Sequence, residues 1–491
     1  MIRPNYVKLA APLLVFGLAL AASGCSEPEV VLEGTRSDSR APVSEIMATI
    51  TAEEEEAFRR ERTAKDPGFF ERLSAGAGNL VPNWLSGGDR QRIIRRGIRP
   101  ETPIPLQISA ATENANWTHI NGGPEHKTAH LALDPNFKLA WKAQIGGGNE
   151  RRNRISADPI VVGGRVFAMD SRSRLTSLSM SGKRIWSVSL VPQGEHSADA
   201  SGGGLAFGGG LIFATTGYGY LHALNPNNGK QYWSQFFGIA PYSAPTVIGS
   251  RVIAVTQDSK AWAIDIRNGR FQWTAFGAEV PANLAGGASP AAWRGNAIIP
   301  MPSGELASVN SDSGSTNWST VVAGRSKIQA RSTIKGVTGD PVVDGEVIYA
   351  GNQTGATSAF AAASGNLIWT HNEGSYGPVW PEGNSVFLVS DSSRLNRLNA
   401  SNGRIIWSTP LPRYKTNRVS KQAAVYAHFG PILAGGRLIV PSSDGNIRSV
   451  DPVTGEIVRI VSIDSGAASN PVVANGMLFI VNQDGELLAY K

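Results

Sequence analysis

A single cysteine, Cys25, stands in a chain of 491 residues. One thiol cannot pair within its own chain, which excludes a disulfide scaffold and any cysteine-built zinc or iron–sulfur centre. Charge is also scarce: Asp, Glu, Lys and Arg make up 17% of the residues, against a usual ~25%. The excess of +7 is small and diffuse, which argues against nucleic acid as a partner. The seven histidines, at 119, 126, 130, 196, 222, 371 and 428, do not cluster with carboxylates at metal-ligand spacing. Nor does the chain contain G-x-x-x-x-G-K-[ST], G-x-S-x-G or H-E-x-x-H. The glycine runs Gly146–Gly148 and Gly202–Gly204 read as loop glycines, not as a phosphate cradle. No catalytic residue, metal ligand or cofactor is therefore expected. Beyond the extreme N-terminus no apolar run reaches the ~18 residues of a membrane-spanning helix. What is abundant is hydrophobic residues, 41% of the chain, with 55 glycines and 12 tryptophans. That is enough apolar material for a core, so a largely disordered chain is excluded.

The one cysteine gains a meaning from its position. Arg3 and Lys8 form a positive n-region, Leu9 to Ala22 an apolar h-region, and Ala22-Ser23-Gly24 lead into Cys25. The competing reading is an ordinary secretory signal with an incidental cysteine. Small residues before the only cysteine resemble the signal of bacterial lipoproteins, in which Cys25 would be acylated and become the mature N-terminus. Ser26, in place of Asp, implies transfer to the outer membrane in such proteins. Acyl chains anchor without spanning. Removal of 1–24 lowers the formal charge from +7 to +5.

Residues 25–115 read as a largely disordered tether. Within it, Thr51-Ala52-Glu53-Glu54 has capping-box spacing, and Glu55–Arg59 and Glu56–Arg60 are i,i+4 pairs. A short helix over 51–65 is expected, ended by Asp66-Pro67-Gly68. Arg90, Arg92, Arg95, Arg96 and Arg99 follow. They read as solvated linker charge, with lipid headgroups or an acidic partner as the alternative.

From 116 to 491 the chain repeats. A glycine followed four residues later by tryptophan occurs as Gly182–Trp186, Gly229–Trp233, Gly269–Trp273, Gly314–Trp318, Gly365–Trp369 and Gly403–Trp407. Gly455–Arg459 keeps the glycine and loses the tryptophan. Trp141 keeps the tryptophan but has Phe137 in place of glycine. These anchors lie 38 to 52 residues apart, about 45 on average. Each period holds four short apolar runs bounded by glycine and polar turns, which are strand signals. Four strands in about 45 residues is one blade of a propeller. The first strand of most periods opens with proline (Pro159, Pro245, Pro290, Pro341, Pro378, Pro431, Pro471), which suits an edge strand. A lone strand around 139–145 precedes the first full blade, and three strands without a fourth follow Arg459. The two incomplete ends complement each other, so the fold class is all-β: an eight-bladed β-propeller closed by an N-terminal strand. A large aromatic at one blade position packs between sheets, so the repeated tryptophans read as core.

The repeats resemble those of quinoprotein alcohol dehydrogenases, which are also eight-bladed propellers. Those enzymes usually carry adjacent cysteines near a calcium-bound quinone, and the mature chain has no cysteine besides Cys25. With the lipoprotein signal, the chain more closely resembles the BamB family of PQQ-like propellers, lipoproteins of the outer-membrane β-barrel assembly machinery. The resemblance covers about 115–491. It rests on Trp141–Asn149, Arg184–Leu190, Asn372–Trp380 and Phe429–Arg437, the last two similar to alphaproteobacterial members. It implies a non-catalytic scaffold on the periplasmic side of the outer membrane. Such a scaffold docks on the POTRA domains of a BamA-like barrel insertase and helps to present unfolded barrel clients. The family's docking loops fall at 280–287 and 331–340. Leu284 keeps the family's apolar residue, Ala285 stands where the family has Arg, and Gly286 follows. Gly336 and Thr338 stand where it has acids, with Arg331 and Asp340 as nearby charges. Leu284 can be an exposed anchor or a packing residue. A periplasmic quinoprotein-like enzyme or small-ligand sensor is the alternative, and a cell-wall-binding propeller a third reading.

Overall fold

The computed structural model describes residues 104–280, 286–322, 336–353, 355–416, 418, 422 and 424–491. The lipoprotein signal, Cys25, the helix expected at 51–65, the arginine run and the site residues Leu284, Ala285 and Arg331 lie outside the described residues. Among the described residues, thirty-two strands form eight four-stranded antiparallel sheets. Blades 1 to 7 span Ile160–Ser189, Leu205–Phe236, Thr246–Phe276, Ala291–Val321, Val337–His371, Trp380–Pro410 and Ile432–Ser462. Blade 8 takes three strands from Val472–Tyr490 and its outermost from Leu139–Gln144. Trp141 pairs with Ala489 and Gln144 with Glu486. Lys138 and Lys491 exchange backbone hydrogen bonds beside them. The expected eight-bladed ring and its closure are both present.

Burial follows position in the blade. Middle strands such as Arg165–Met169 are buried almost throughout, because a neighbouring blade covers each of their faces, and their sequences are continuous apolar runs. Outermost strands such as Gln231–Phe236 alternate between exposed and half-buried. Proline immediately precedes most of the innermost strands. In blade 5, Pro341 lies inside the strand, where the pairing skips from Gly339 to Val342, because proline has no N–H to offer the ladder.

The glycine–tryptophan repeat is an inter-blade joint. Each indole N–H donates to a carbonyl in the turn before the next blade's outermost strand. Trp141 donates to Met180, Trp186 to Pro226, Trp233 to Ile266 and Trp273 to Ser311, at 2.8–3.1 Å. Trp318, Trp369 and Trp407 continue the series to Ala362, Ala400 and Pro452. The indole face lies against that turn's glycine, so a Cβ on Gly182, Gly229, Gly269, Gly314, Gly365, Gly403 or Gly455 would come within 2.8 Å of the ring. These glycines also have φ between +69° and +82°, which side-chain-bearing residues rarely adopt. The two departures from the repeat meet each other at the eighth joint. Arg459 reaches the turn before blade 8's closing strand and donates to the carbonyls of Pro135 (3.0 Å) and Phe137 (2.8 Å). Its guanidinium lies over the Phe137 ring, 4.9 Å from the centroid. A cation–π contact thus replaces the indole–glycine stack at the seam.

One end of the channel is filled by residues 104–133. We call this end lower; it carries the turns between first and second and between third and fourth strands. The middle residue of an innermost strand points its N–H into the channel, where an unpaired donor would be costly. Val161 donates to Trp117 O, Phe207 to Thr118 O, Ala292 to Pro124 O and Val343 to Glu125 O. Val247 donates to His119 Nε2 at 3.0 Å. Ser109 N–H reaches Glu382 of blade 6, Leu131 N–H reaches Leu433 of blade 7, and Asn114 binds Val473 and Asn475 of blade 8. All eight blades are therefore bonded to this one segment. The ring-bound chain begins at least as early as Ile104, whose carbonyl accepts from Arg397, rather than near 116.

Three outcomes follow from the joints and the channel filling. Trp273→Ala removes a buried indole and should cost about 3–5 kcal/mol, read as a lowered thermal midpoint. Phe137→Gly and Arg459→Trp should each destabilise, while the double variant, which restores the common joint, recovers most of the loss. Additivity in that double-mutant cycle would contradict the joint. Burial, helped by His126, holds the His119 ring down to about 3, and burial holds His126 at about 4, against an ordinary 6.5. Below pH 6.5 the unfolded chain binds protons that the folded ring refuses, so stability is full above that value and falls as pH drops toward 4. His119→Gln should flatten that slope in thermal melts between pH 4 and 7.

Candidate docking surface

The chain enters each blade at the upper end, where the described parts of the two loops singled out from sequence, 286–287 and 336–340, lie. Gly286 is exposed, with φ +81° and open space around its α-carbon. Gly336, Thr338 and Asp340 are buried. Thr338 Oγ1 donates to the Ser375 carbonyl of the blade 5–6 loop (2.9 Å). The Asp340 carboxylate accepts the Ser289 N–H at the start of blade 4 (2.7 Å). These two side chains tie neighbouring blades together and are not presented to solvent, at 4% and 9% exposure.

Tyr242, which the sequence reasoning missed, organises both loops. It comes from the loop between blades 2 and 3 and is buried. Its carbonyl accepts Gly287 N–H (2.8 Å) and its hydroxyl donates to Val337 O (3.3 Å). Its ring fills the space a side chain at Gly287 would need, and its hydroxyl crowds Gly336. Glycine at both positions is the price of that close approach, and nothing periodic in the sequence announces it. Burial and the nearby Asp340 push the Tyr242 hydroxyl up to about 12, so it remains a donor.

Two carboxyls sit at the starts of innermost strands, where the channel opens upward. Asp158 accepts from Asn470 N (2.8 Å) and Nδ2 (2.9 Å), and Asn470 Oδ1 accepts Gly430 N–H (3.0 Å). Burial raises Asp158 above the ordinary carboxyl range. Burial, with the charge of Asp158, raises Asp340 to about 7. Among the described residues no group of three or more His, Cys, Asp or Glu is placed to hold a metal ion.

Three exposed apolar residues line the upper outer rim. Phe236, Phe276 and Val321 end the outermost strands of blades 2, 3 and 4. Phe276 is 74% exposed and Val321 56%, and each precedes one of the two loops in the chain. Aromatic side chains such as Phe276 are enriched at the cores of protein interfaces. The sequence signal was available: both are large apolar residues at solvent-facing positions of an alternating strand.

The fold and its joints define an eight-bladed propeller of the PQQ-like repeat class. The family model described as outer membrane protein assembly factor BamB matches residues 171–409. The outer membrane protein assembly factor BamB of Shewanella oneidensis is 25% identical over 360 residues, 71% of this chain and 88% of that one. Its counterpart in Burkholderia pseudomallei is 25% identical over 355 residues, 72% and 87% of the two chains. The solved structure of BamB from Moraxella catarrhalis superposes with a TM-score of 0.60 at 16% identity, covering 72% of this chain and 99% of that one. Quinohemoprotein alcohol dehydrogenase from Comamonas testosteroni reaches the same TM-score at 14% identity, covering 77% and 81%, a likeness of fold. The chain is thus similar in sequence, over 71–72% of its length, to proteins named BamB.

Asp340→Asn tests the mouth of the channel. Asn keeps an acceptor for Ser289 and has no charge to bury. The wild-type carboxyl titrates near 7 folded and near 3.8 unfolded, so its contribution to stability is lost as pH rises from about 4 to 7. The variant should therefore gain thermal stability over wild type progressively across that range, with a constant gain above pH 7.

Proposed function

We propose that this chain is a non-catalytic scaffold of outer-membrane β-barrel assembly. In this reading acyl chains on Cys25 hold it to the outer membrane, facing the periplasm. Its upper face at blades 3 and 4 docks on the POTRA domains of a BamA-like insertase and so aids folding and insertion of barrel proteins. Unfolded barrel clients are further partners. The observation that carries this is sequence similarity to proteins named BamB over 71–72% of the chain. The docking surface comprises Leu284, Ala285, Gly286 and Arg331 on the loops. Gly336, Thr338 and Asp340 shape it from beneath, and Phe276 and Val321 form its rim.

The quinoprotein-like alternative rests on the shared fold with the Comamonas enzyme. It predicts binding of quinone with Ca²⁺ and reduction of a dye, and an assay showing neither rejects it.

Protein extracted in mild detergent should co-purify with a barrel insertase. Leu284→Asp and Phe276→Asp should each lower the recovered insertase several-fold while leaving the thermal midpoint near wild type. Recovery of the chain alone, with barrel proteins assembling normally in its absence, sinks the proposal.

A further inference from the structure

The residue that follows each joint glycine occupies one equivalent position around the lower rim. In blades 1 to 7 it is Lys183, Lys230, Arg270, Ser315, Asn366, Arg404 and Glu456, and in blade 8 Lys138 follows Phe137. The equivalence is structural. The carbonyls of Lys183, Lys230, Arg270, Ser315, Asn366, Arg404 and Glu456 each accept the same turn-closing N–H, from Ser179, Asn225, Asp265, Asn310, Ala361, Asn399 and Asp451 respectively. Four consecutive blades, 8, 1, 2 and 3, place a cation there. Blades 4 and 5 place neutral residues, blade 6 a separate cation, Arg404, and blade 7 a carboxylate.

Lys138, Lys183, Lys230 and Arg270 are exposed, and among the described residues none forms an ion pair. Arg184 and Arg267 add two more exposed cations in the same turns. The acids in these turns are Asp134 and Asp265, and Asp265 already faces Arg251 at 3.4 Å. The joints set these turns side by side, since Trp186 reaches Pro226 and Trp233 reaches Ile266. Half of the lower rim is thus a continuous cationic arc with little counter-charge. A partly compensated arc of this extent is a footprint for a surface of fixed negative charge.

We propose that this arc rests on anionic lipid headgroups. The choice of lipid over an acidic protein rests on the membrane attachment in the preceding reading, together with one observation. Ile104, where the described chain begins, is held at this same lower end by Arg397 and by the Asn384 contact to Pro105. Ile104 therefore sits on the face that carries the arc, while the described parts of the proposed docking loops lie at the opposite end. A lipid surface attracts each nearby Lys or Arg in a salt-dependent way, and turn residues on four blades would contact it together.

The test uses the full mature chain with Cys25→Ser, so that no acyl chain contributes. Sedimentation is measured with vesicles of phosphatidylethanolamine containing phosphatidylglycerol, and with neutral vesicles of phosphatidylcholine. The chain should bind the anionic vesicles, release them at high salt and ignore the neutral ones. Changing Lys138, Lys183, Lys230 and Arg270 together to Ser should weaken anionic binding about tenfold or more. The melting curve should be preserved, since these side chains are exposed. A second variant with the five arginines between 90 and 99 changed to Gln should keep the arc's share. Equal binding to both vesicle types, wild-type binding by the four-site variant, or capture of an acidic protein in place of vesicles would overturn the proposal. Insertase recovery, measured on the same variants, should be unchanged; its loss would count against the docking reading, and the vesicle result decides the lipid proposal separately.

Discussion

The indole that each blade lays on the next blade's turn glycine is the constraint on which this ring depends. It does three things with two residues. The ring face excludes any side chain at the glycine, the N–H satisfies a turn carbonyl, and the positive φ of the glycine sets the turn that starts the next outer strand. Because the contact recurs at nearly every interface, the angle between blades is fixed locally, and a closed ring follows from repetition. The seam obeys the same geometry with different chemistry. Arg459 and Phe137 exchange the roles of long reach and flat platform, which lets the two chain ends meet without a turn glycine.

The ring was legible in the sequence because its signals are periodic. A spacing near 45, a tryptophan four residues after glycine, and a proline at the start of inner strands all repeat, so even the two lapses at 137 and 459 stood out. Their partnership was not legible, since they are separated by most of the chain. The channel filling was hidden for the same reason. Residues 104–133 have no periodicity, and those that bond to the ring reach strands that lie from tens to hundreds of residues away. For the candidate site the sequence supplied the loops but not the direction of their side chains. Thr338 and Asp340 look like loop residues available to a partner, yet they bond to Ser375 and Ser289. Tyr242 belongs to neither loop and shapes both.

The two ends of the ring are chemically different. The lower end is packed with aromatic and histidine side chains, rimmed on one half by cations. The upper end carries carboxyls at the channel mouth and a row of exposed apolar side chains on three successive blades. Two faces of opposite character on one rigid disc suit a molecule that sits between two other bodies, and nothing in the joints requires it to change shape.

The segment that fills the channel also decides how the ring would bear a load. A disc held only by its first strand would be peeled open from Leu139 when pulled from the N-terminal side. Here tension arriving at Ile104 meets Arg397 and Glu382 first, then a series of bonds spread over every sheet. The pull must break bonds to all eight blades, one set after another, before it reaches the closing strand. The ring behaves less like a belt fastened at one buckle than like a wheel held at its hub.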